Sequence, residues 1–277
     1  MKDNSLPKRY ARGWYVLGHK RDFVINTPKI IPCFGSRLSI KRKKDGVEAH
    51  FDGIFLPICE QNNLVFAWYD HQGLKPEYEI PVIEECFDEK WSDWGMEQYL
   101  INNNCGELID NMADRGHFGP VHGCPAIEFY NEAKGINYTQ IMTGESEALG
   151  GSLWSEAIYT GPAYMVTTMK TNVAKSRLLV SHLPINHTNF LIQFGCMVEK
   201  DPNSSEEENQ EYVQGYIDAN LFAFGQDVSI WHNKIYVENP IMCSGDGPLK
   251  KLRKWYSQFY VDREDIPKGL DMPKRQF

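Results

Sequence analysis

The chain is 277 residues long, with a formal net charge of −8 and a pI near 5.5. Hydrophobic residues make up 42% of it, aromatic residues 13% and charged residues 24%, a balance that excludes disorder as the main state. The acidic charge argues against nucleic acid as the main partner, because phosphate binding needs a basic face.

No apolar run reaches the ~18 residues of a membrane span. The opening MKDNSLPKRYARGW has no apolar core of a secretory signal. The length predicts about two domains or one large one. Seven cysteines (Cys33, Cys59, Cys86, Cys105, Cys124, Cys196 and Cys243) are odd in number and widely spaced, which predicts reduced thiols in a cytoplasmic protein. No C-x-x-C pair exists, so a zinc ribbon or thioredoxin-like site is not expected. C-x-H and C-x2-H are absent as well.

In chain order, residues 10–18 (YARGWYVLG) read as a short apolar strand. Residues 30–42 predict two strands broken at Gly35, and a charged turn ending in Asp45-Gly46 predicts a hairpin. Val65–Tyr69 is a further strand, followed by DHQG and the linker LKPEYEIPVIEE. That composition shift at 70–90 divides the chain into domains of residues 1–80 and 81–277. Gln98–Ala113 reads as a strand running into a helix that begins near Asn104. Residues 137–200 hold five β-rich runs separated by turn residues, the signature of one large antiparallel sheet. Ser204 with Glu207 forms a capping box, and Glu208–Val237 predicts a long helix. Its apolar side carries Tyr212, Tyr216, Leu221, Phe224, Val228 and Trp231. The segment LRKWYSQFYVD near the end is aromatic and amphipathic. The fold class is α+β, an antiparallel sheet covered by helices.

The chemistry concentrates in the stretch Asp110–His122, DNMADRGHFGPVH. Asp110, Asp114 and His117 are four and then three residues apart, which puts them on one face if the segment is helical. His117 and His122 are five apart, a rotation of roughly 140° on a regular helix. Gly119-Pro120 is expected to stop the helix and turn His122 back beside His117. Two imidazoles brought together suit a divalent transition metal. A third ligand is available at Asp227, whose sequence neighbours Phe222, Phe224, Val228 and Ile230 are apolar; a carboxylate in such company is costly unless paired or metal-bound. Two histidines and a carboxylate make the facial triad of non-haem Fe(II) oxygenases, and zinc with the same donors is chemically possible. Two blander readings stand beside these: surface or capping histidines, and Asp227 paired with Lys234.

These residues resemble a known family. The stretch Asn104–His122, NCGELIDNMADRGHFGPVH, is similar to the iron-site motif D/N-x3-D-x2-H-x4-H of Rieske non-haem iron oxygenases. The resemblance is strongest to the oxygenase components of 3-ketosteroid 9α-hydroxylases. It extends in order through ARGWYVLG, FAWYDHQG, WSDWGMEQYLINNNC, GQDVSIWHNK and LRKWYSQFYVD. It implies a helix-grip-like catalytic domain and an O₂-dependent monooxygenase acting on a steroid-like or other flat apolar substrate. It implies His117, His122 and Asp227 as ligands of one mononuclear Fe(II), and Asp114 as a catalytic bridging carboxylate that passes electrons from a neighbouring subunit. Gln140, Tyr159, Met165, Phe224 and Trp231 match substrate-pocket positions.

The departure is in the first domain. The family's [2Fe–2S] cluster is held by C-x-H and C-x2-H, and neither motif occurs here. Residues 1–80 are thus expected to be a truncated, cluster-free remnant of the Rieske domain. The resemblance then implies a cluster-bearing partner subunit, a reductase or ferredoxin, and a trimer-based oligomer. The alternative is a non-catalytic structural or ligand-binding subunit of a heteromeric oxygenase; a third is an Fe(II) enzyme driven by peroxide.

Overall fold

The computed structural model describes residues 9–147, 150–243, 245–268 and 270. Its first seventy residues alternate apolar runs with residues that tolerate positive φ. They yield β1 (Gly13–His19), β2 (Pro28–Cys33), β3 (Ser36–Lys43), β4 (Gly46–Phe51), β5 (Ile54–Phe55), β6 (Ile58–Gln61) and β7 (Leu64–Tyr69). The break expected at Gly35 is the β2–β3 turn, where Phe34 and Gly35 take φ of 50° and 74°. Lys44 and Asp45 make the two-residue turn between β3 and β4. These strands form two antiparallel sheets, β1-β7-β6 and β2-β3-β4-β5. All seven residues of β1 are buried, because β1 pairs with β7 and also packs on strands of the larger sheet below. A strand covered on both faces reads as an apolar run without alternation.

The rest of the chain contributes β8 (Gly95–Ile101), α1 (Cys105–Ile109), α2 (Phe118–His122), β9 (Ala126–Lys134), β10 (Asn137–Ser146), β11 (Gly151–Thr160), β12 (Tyr164–Thr171), β13 (Lys175–Pro184) and β14 (Phe190–Val198). It closes with α3 (Glu206–Asn233) and α4 (Leu249–Ser257). The seven later strands form one antiparallel sheet in the order β8-β14-β13-β12-β11-β10-β9. The five expected β runs are its β10 to β14. Two further strands, β8 and β9, close its edges.

Period-2 alternation gives this sheet one inward face. Tyr138, Gln140 and Met142 point in from β10, and Leu153, Ser155, Ala157 and Tyr159 from β11. Helix α3 lies across that face, on β14 and β8. Gly95 of β8 makes the approach possible, since a Cβ there would sit 2.5 Å from Ile217 of α3. The capping box is one residue later than expected: Ser205 is the N-cap and Glu208 its partner. The helix correspondingly spans 206–233 rather than 208–237. Helix α4 covers the turn at residues 110–113 and β9, burying Leu252, Trp255 and Tyr256. Among the described residues no helix is long and apolar enough to cross a membrane.

Candidate metal centre

The Asp110–His122 stretch folds as three short pieces, not as one helix. Asn104 caps α1 by accepting from the Gly106 N–H at 2.9 Å. The helix ends at Ile109, residues 110–113 form a 3₁₀ turn, and Asp114 is extended. Asp110 therefore does not share a face with Asp114 and His117, contrary to the helical expectation. It is buried and accepts two hydrogen bonds from Arg253, at 3.1 Å from Nε and 2.6 Å from Nη2. Asp114 ends the turn because its own Oδ1 accepts from the backbone N–H groups of Gly116 and His117, at 2.9 and 3.3 Å.

Gly119-Pro120 does not stop a helix either; it lies within the short helix α2, for which His117 is the N-cap. Pro120 is tolerated because the first turn leaves its N–H positions without partners anyway. Helix α2 ends at Gly123, with φ of 63°. His117 and His122 thus stand at the two ends of one short helix, with ring centroids 5.3 Å apart and planes at 79°.

Helix α3 brings the third group. Phe224, Asp227 and Trp231 recur at helical spacing on its inner side, and Asp227 and Trp231 are buried. Phe222 and Ile230, by contrast, are 74% and 42% exposed. The apolar neighbours in sequence are therefore not all neighbours in space. Lys234 does not pair with Asp227; its Nζ lies 3.4 Å from Glu107 and 4.0 Å from Asp110. The Asp227 carboxylate instead lies 3.4 Å from His122 Nε2.

One donor atom each from His117, His122 and Asp227 lies within 4.8 Å of the other two. The His122–Asp227 separation is that of two atoms each about 2.1 Å from a common ion. The His117 ring is held by its Nδ1, which donates to the Asp114 carbonyl oxygen at 2.8 Å. That bond assigns the tautomer and leaves the Nε2 lone pair for a metal. Two imidazole nitrogens and one carboxylate oxygen fit a divalent transition metal, with iron and zinc both within the donor chemistry.

The Asp114 carboxylate stands outside this trio, 47% exposed. Its Oδ2 is 3.6 Å from His117 Nδ1. Hydrogen bonding to His117 holds its pKa below the usual carboxylate value, against the opposing effect of burial.

The trio lines a cavity of about 600 Å³ between the sheet and α3. Gln140, Tyr159, Met165, Phe224 and Trp231 all line the same space. The Gln140 amide is partly committed, donating to the Met112 carbonyl at 2.9 Å beside a 2.8 Å bond from Asn131. The sequence reading missed Asn111, Met142, Ser155, Thr167 and Met169, which line the cavity as well. Alternation within β10, β11 and β12 marks four of them, once the inward face is known. Asn111, in the irregular turn, has no such signal.

The 3-ketosteroid 9alpha-hydroxylase C-terminal domain family matches residues 67–260. A probable 3-ketosteroid-9-alpha-monooxygenase oxygenase component of Rhodococcus rhodochrous is 31% identical, over 94% of this chain and 82% of its own length. The 3-ketosteroid-9-alpha-monooxygenase oxygenase component of Mycobacterium tuberculosis is 30% identical, over 95% of this chain and 85% of its own. Among solved structures, dicamba monooxygenase bound to dicamba superposes with a TM-score of 0.66. It covers 91% of this chain and 98% of its own at 14% identity, a likeness of fold. The chain belongs to the 3-ketosteroid 9alpha-hydroxylase C-terminal domain family. It is an oxidoreductase of the monooxygenase oxygenase-component type, with the fold of the Rieske oxygenases. The Rhodococcus alignment runs over 328 residues, whereas 94% of 277 residues is about 260; the relative thus has residues inside the aligned span with no counterpart here.

Proposed function

We propose that this chain is the substrate-oxidising subunit of a heteromeric monooxygenase. It holds one Fe(II) through His117, His122 and Asp227 and hydroxylates a steroid-like or other flat apolar molecule with O₂. The observation that carries this reading is the convergence of those three donors on the wall of a largely apolar cavity. An iron bound there would supply dioxygen activation, drawing two electrons from outside the cavity. The other roles belong to the chain itself. Asp114, through its carbonyl, keeps His117 Nδ1 protonated and aims Nε2 inward. Tyr159, Met165, Phe224 and Trp231 give aromatic and thioether walls that exclude water and fit a flat molecule.

The electrons come from a cluster-bearing partner subunit served by a reductase or ferredoxin, in a trimer-based assembly. Two observations support this: the sequence has no C-x-H or C-x2-H pair, and the exposed Asp114 carboxylate lies 3.6 Å from the His117 ring, on the solvent side of the site. In this reading residues 1–80 are the cluster-free remnant and 81–277 the catalytic domain.

Metal analysis of the purified chain titrated with Fe(II) tests the site. Stoichiometric iron is expected in the wild type, and none in His117→Ala or Asp227→Ala; normal occupancy in either variant overturns the ligand set. Stoichiometric zinc in place of iron would also overturn the oxygenase reading. Asp114→Asn is expected to keep iron and slow turnover with the partner. Full turnover by the lone chain with reductase and ferredoxin would remove the partner.

A further inference from the structure

The cavity that would receive O₂ is lined by four thioethers, Met112, Met142, Met165 and Met169. Methionine is readily oxidised to the sulfoxide, so oxidant left unspent without substrate is a hazard at this site. One wall of the cavity leads away from it through a continuous file of oxidisable rings. Tyr159 lines the cavity and is fully buried. Its ring centroid is 6.3 Å from that of Trp255, which is 6.0 Å from Tyr256. Tyr256 is 5.4 Å from Tyr260, which is partly exposed and lines a small surface recess beside Arg9 and His187. Three of the four rings come from α4 and the turn after it, which also cover the 110–113 turn and β9.

A proton acceptor stands at the middle of the file. The Tyr256 hydroxyl lies 3.4 Å from Nε2 of His182. His182 is fully buried, and its Nδ1 has no hydrogen-bond partner among the described residues. Such an orphaned polar atom is costly for a structural residue. Burial keeps this ring neutral, with its pKa pushed down to about 3; in the tautomer with the proton on Nδ1, Nε2 accepts from the Tyr256 hydroxyl.

We infer that Tyr159, Trp255, Tyr256 and Tyr260 form a path that drains oxidising equivalents from the cavity to the surface, with His182 taking the phenolic proton of Tyr256. This rests on the iron site proposed above. The oxidant is hydrogen peroxide, which takes two electrons and two protons to become two waters. The path supplies the electrons one at a time. Trp255, through Tyr159, gives up one electron; Tyr256 refills Trp255 and passes its O–H proton to His182 Nε2, becoming a neutral phenoxyl. Tyr260 refills Tyr256, which recovers its proton from His182, and releases its own phenolic proton to solvent; a thiol or ascorbate outside then returns an electron and a proton to Tyr260. A second pass supplies the second electron, and the two protons that complete the waters are drawn from solvent, in balance with the two that Tyr260 releases.

The test uses the Fe(II)-loaded chain without substrate, mixed with hydrogen peroxide and frozen for electron paramagnetic resonance, with peptide mass spectrometry on a parallel sample. Iron content is measured first, so a chain that fails to load counts against the metal site, and a loaded chain without a phenoxyl signal counts against the path. The wild type is expected to give a phenoxyl signal that changes with ring-deuterated tyrosine, and little sulfoxide at Met142 and Met165. Tyr256→Phe keeps the ring packing and removes the hydroxyl; it is expected to lose that signal and accumulate oxidised Trp255 and methionine sulfoxide. Trp255→Phe is expected to lose the signal as well. If both variants match the wild type in radical signal and methionine oxidation, the path is overturned.

Discussion

The ion pair between Asp110 and Arg253 couples the turn before the candidate metal site to α4, and its removal has a calculable cost. The Asp110 carboxylate is 9% exposed and the Arg253 side chain 22%. Arg253 makes two bonds to Asp110 and two more from Nη1, to the carbonyls of Val237 and Glu238 at 2.6 and 3.2 Å. Contact with the carboxylate raises the guanidinium pKa above its ordinary value, with burial opposing it. Arg253→Met keeps the length of the stem and deletes all four bonds. Among the described residues, Asp110 is left buried with Lys234, 4.0 Å away, as its one ion-pair partner. Breaking one side of a buried pair costs about 3–5 kcal/mol, and partial exposure with Lys234 nearby puts this case at the lower end, ~3 kcal/mol. For a chain of this size that corresponds to a melting temperature lower by roughly 6–12 °C. The double variant Asp110→Asn/Arg253→Met should regain part of the loss, because no uncompensated charge remains. Thermal and urea unfolding of the three proteins read this directly. A drop below about 1 kcal/mol in Arg253→Met, or no recovery in the double variant, refutes the assignment of Asp110 to a structural ion pair.

Gly247 donates its N–H to the Ala113 carbonyl at 3.0 Å, and a Cβ on it would stand 2.2 Å from that oxygen. Gly247→Ala should therefore displace the turn just before Asp114 and weaken Fe(II) binding in a metal titration; unchanged affinity would show that the turn tolerates the shift. Asp93 predicts an acid sensitivity. Burial alone would raise its pKa, but hydrogen bonding to His19 and the Trp94 N–H and the charge of Arg21 bring it down to about 2. A depressed carboxylate stabilises the fold above its unfolded pKa and loses that contribution as pH falls from 3.8 towards about 2. Asp93→Asn should flatten the stability–pH curve in that window, measured by urea unfolding, and an unaltered slope would count against the His19 contact.

Much of the architecture is legible because strand alternation and turn chemistry are local. Gly35 and the Asp45-Gly46 turn mark β-turns, and the runs of β10 and β11 carry a period of two, whereas β13 and β14 are buried along most of their length. Strand β9 escapes notice because AIEFYNEAK has one buried position, Asn131; its identity comes from pairing with β10, not from its own pattern. The capping box slips by one because Ser204 and Ser205 both have a glutamate three residues on. The structure favours the second, with Asn209 holding the preceding loop through the Asp201 carbonyl at 2.9 Å. At the site, the spacing of His117 and His122 and the odd placement of Asp227 in an apolar stretch are readable in one dimension. The role of Asp110 is not, since its partner Arg253 is 143 residues away. A four-and-three spacing looks helical until the Asp114 side chain captures two backbone N–H groups and ends the turn.

The seven-stranded sheet pairs its first strand in sequence, Gly95–Ile101, with its last, Phe190–Val198. Such distant partners meet late, because the intervening chain must be closed before their contacts return any free energy. Both histidines follow the early strand and Asp227 follows the late one, so the proposed chelating group is complete only after this seam has zipped. Capture of a metal ion by nascent chains would then serve as a clock for the final stage of assembly.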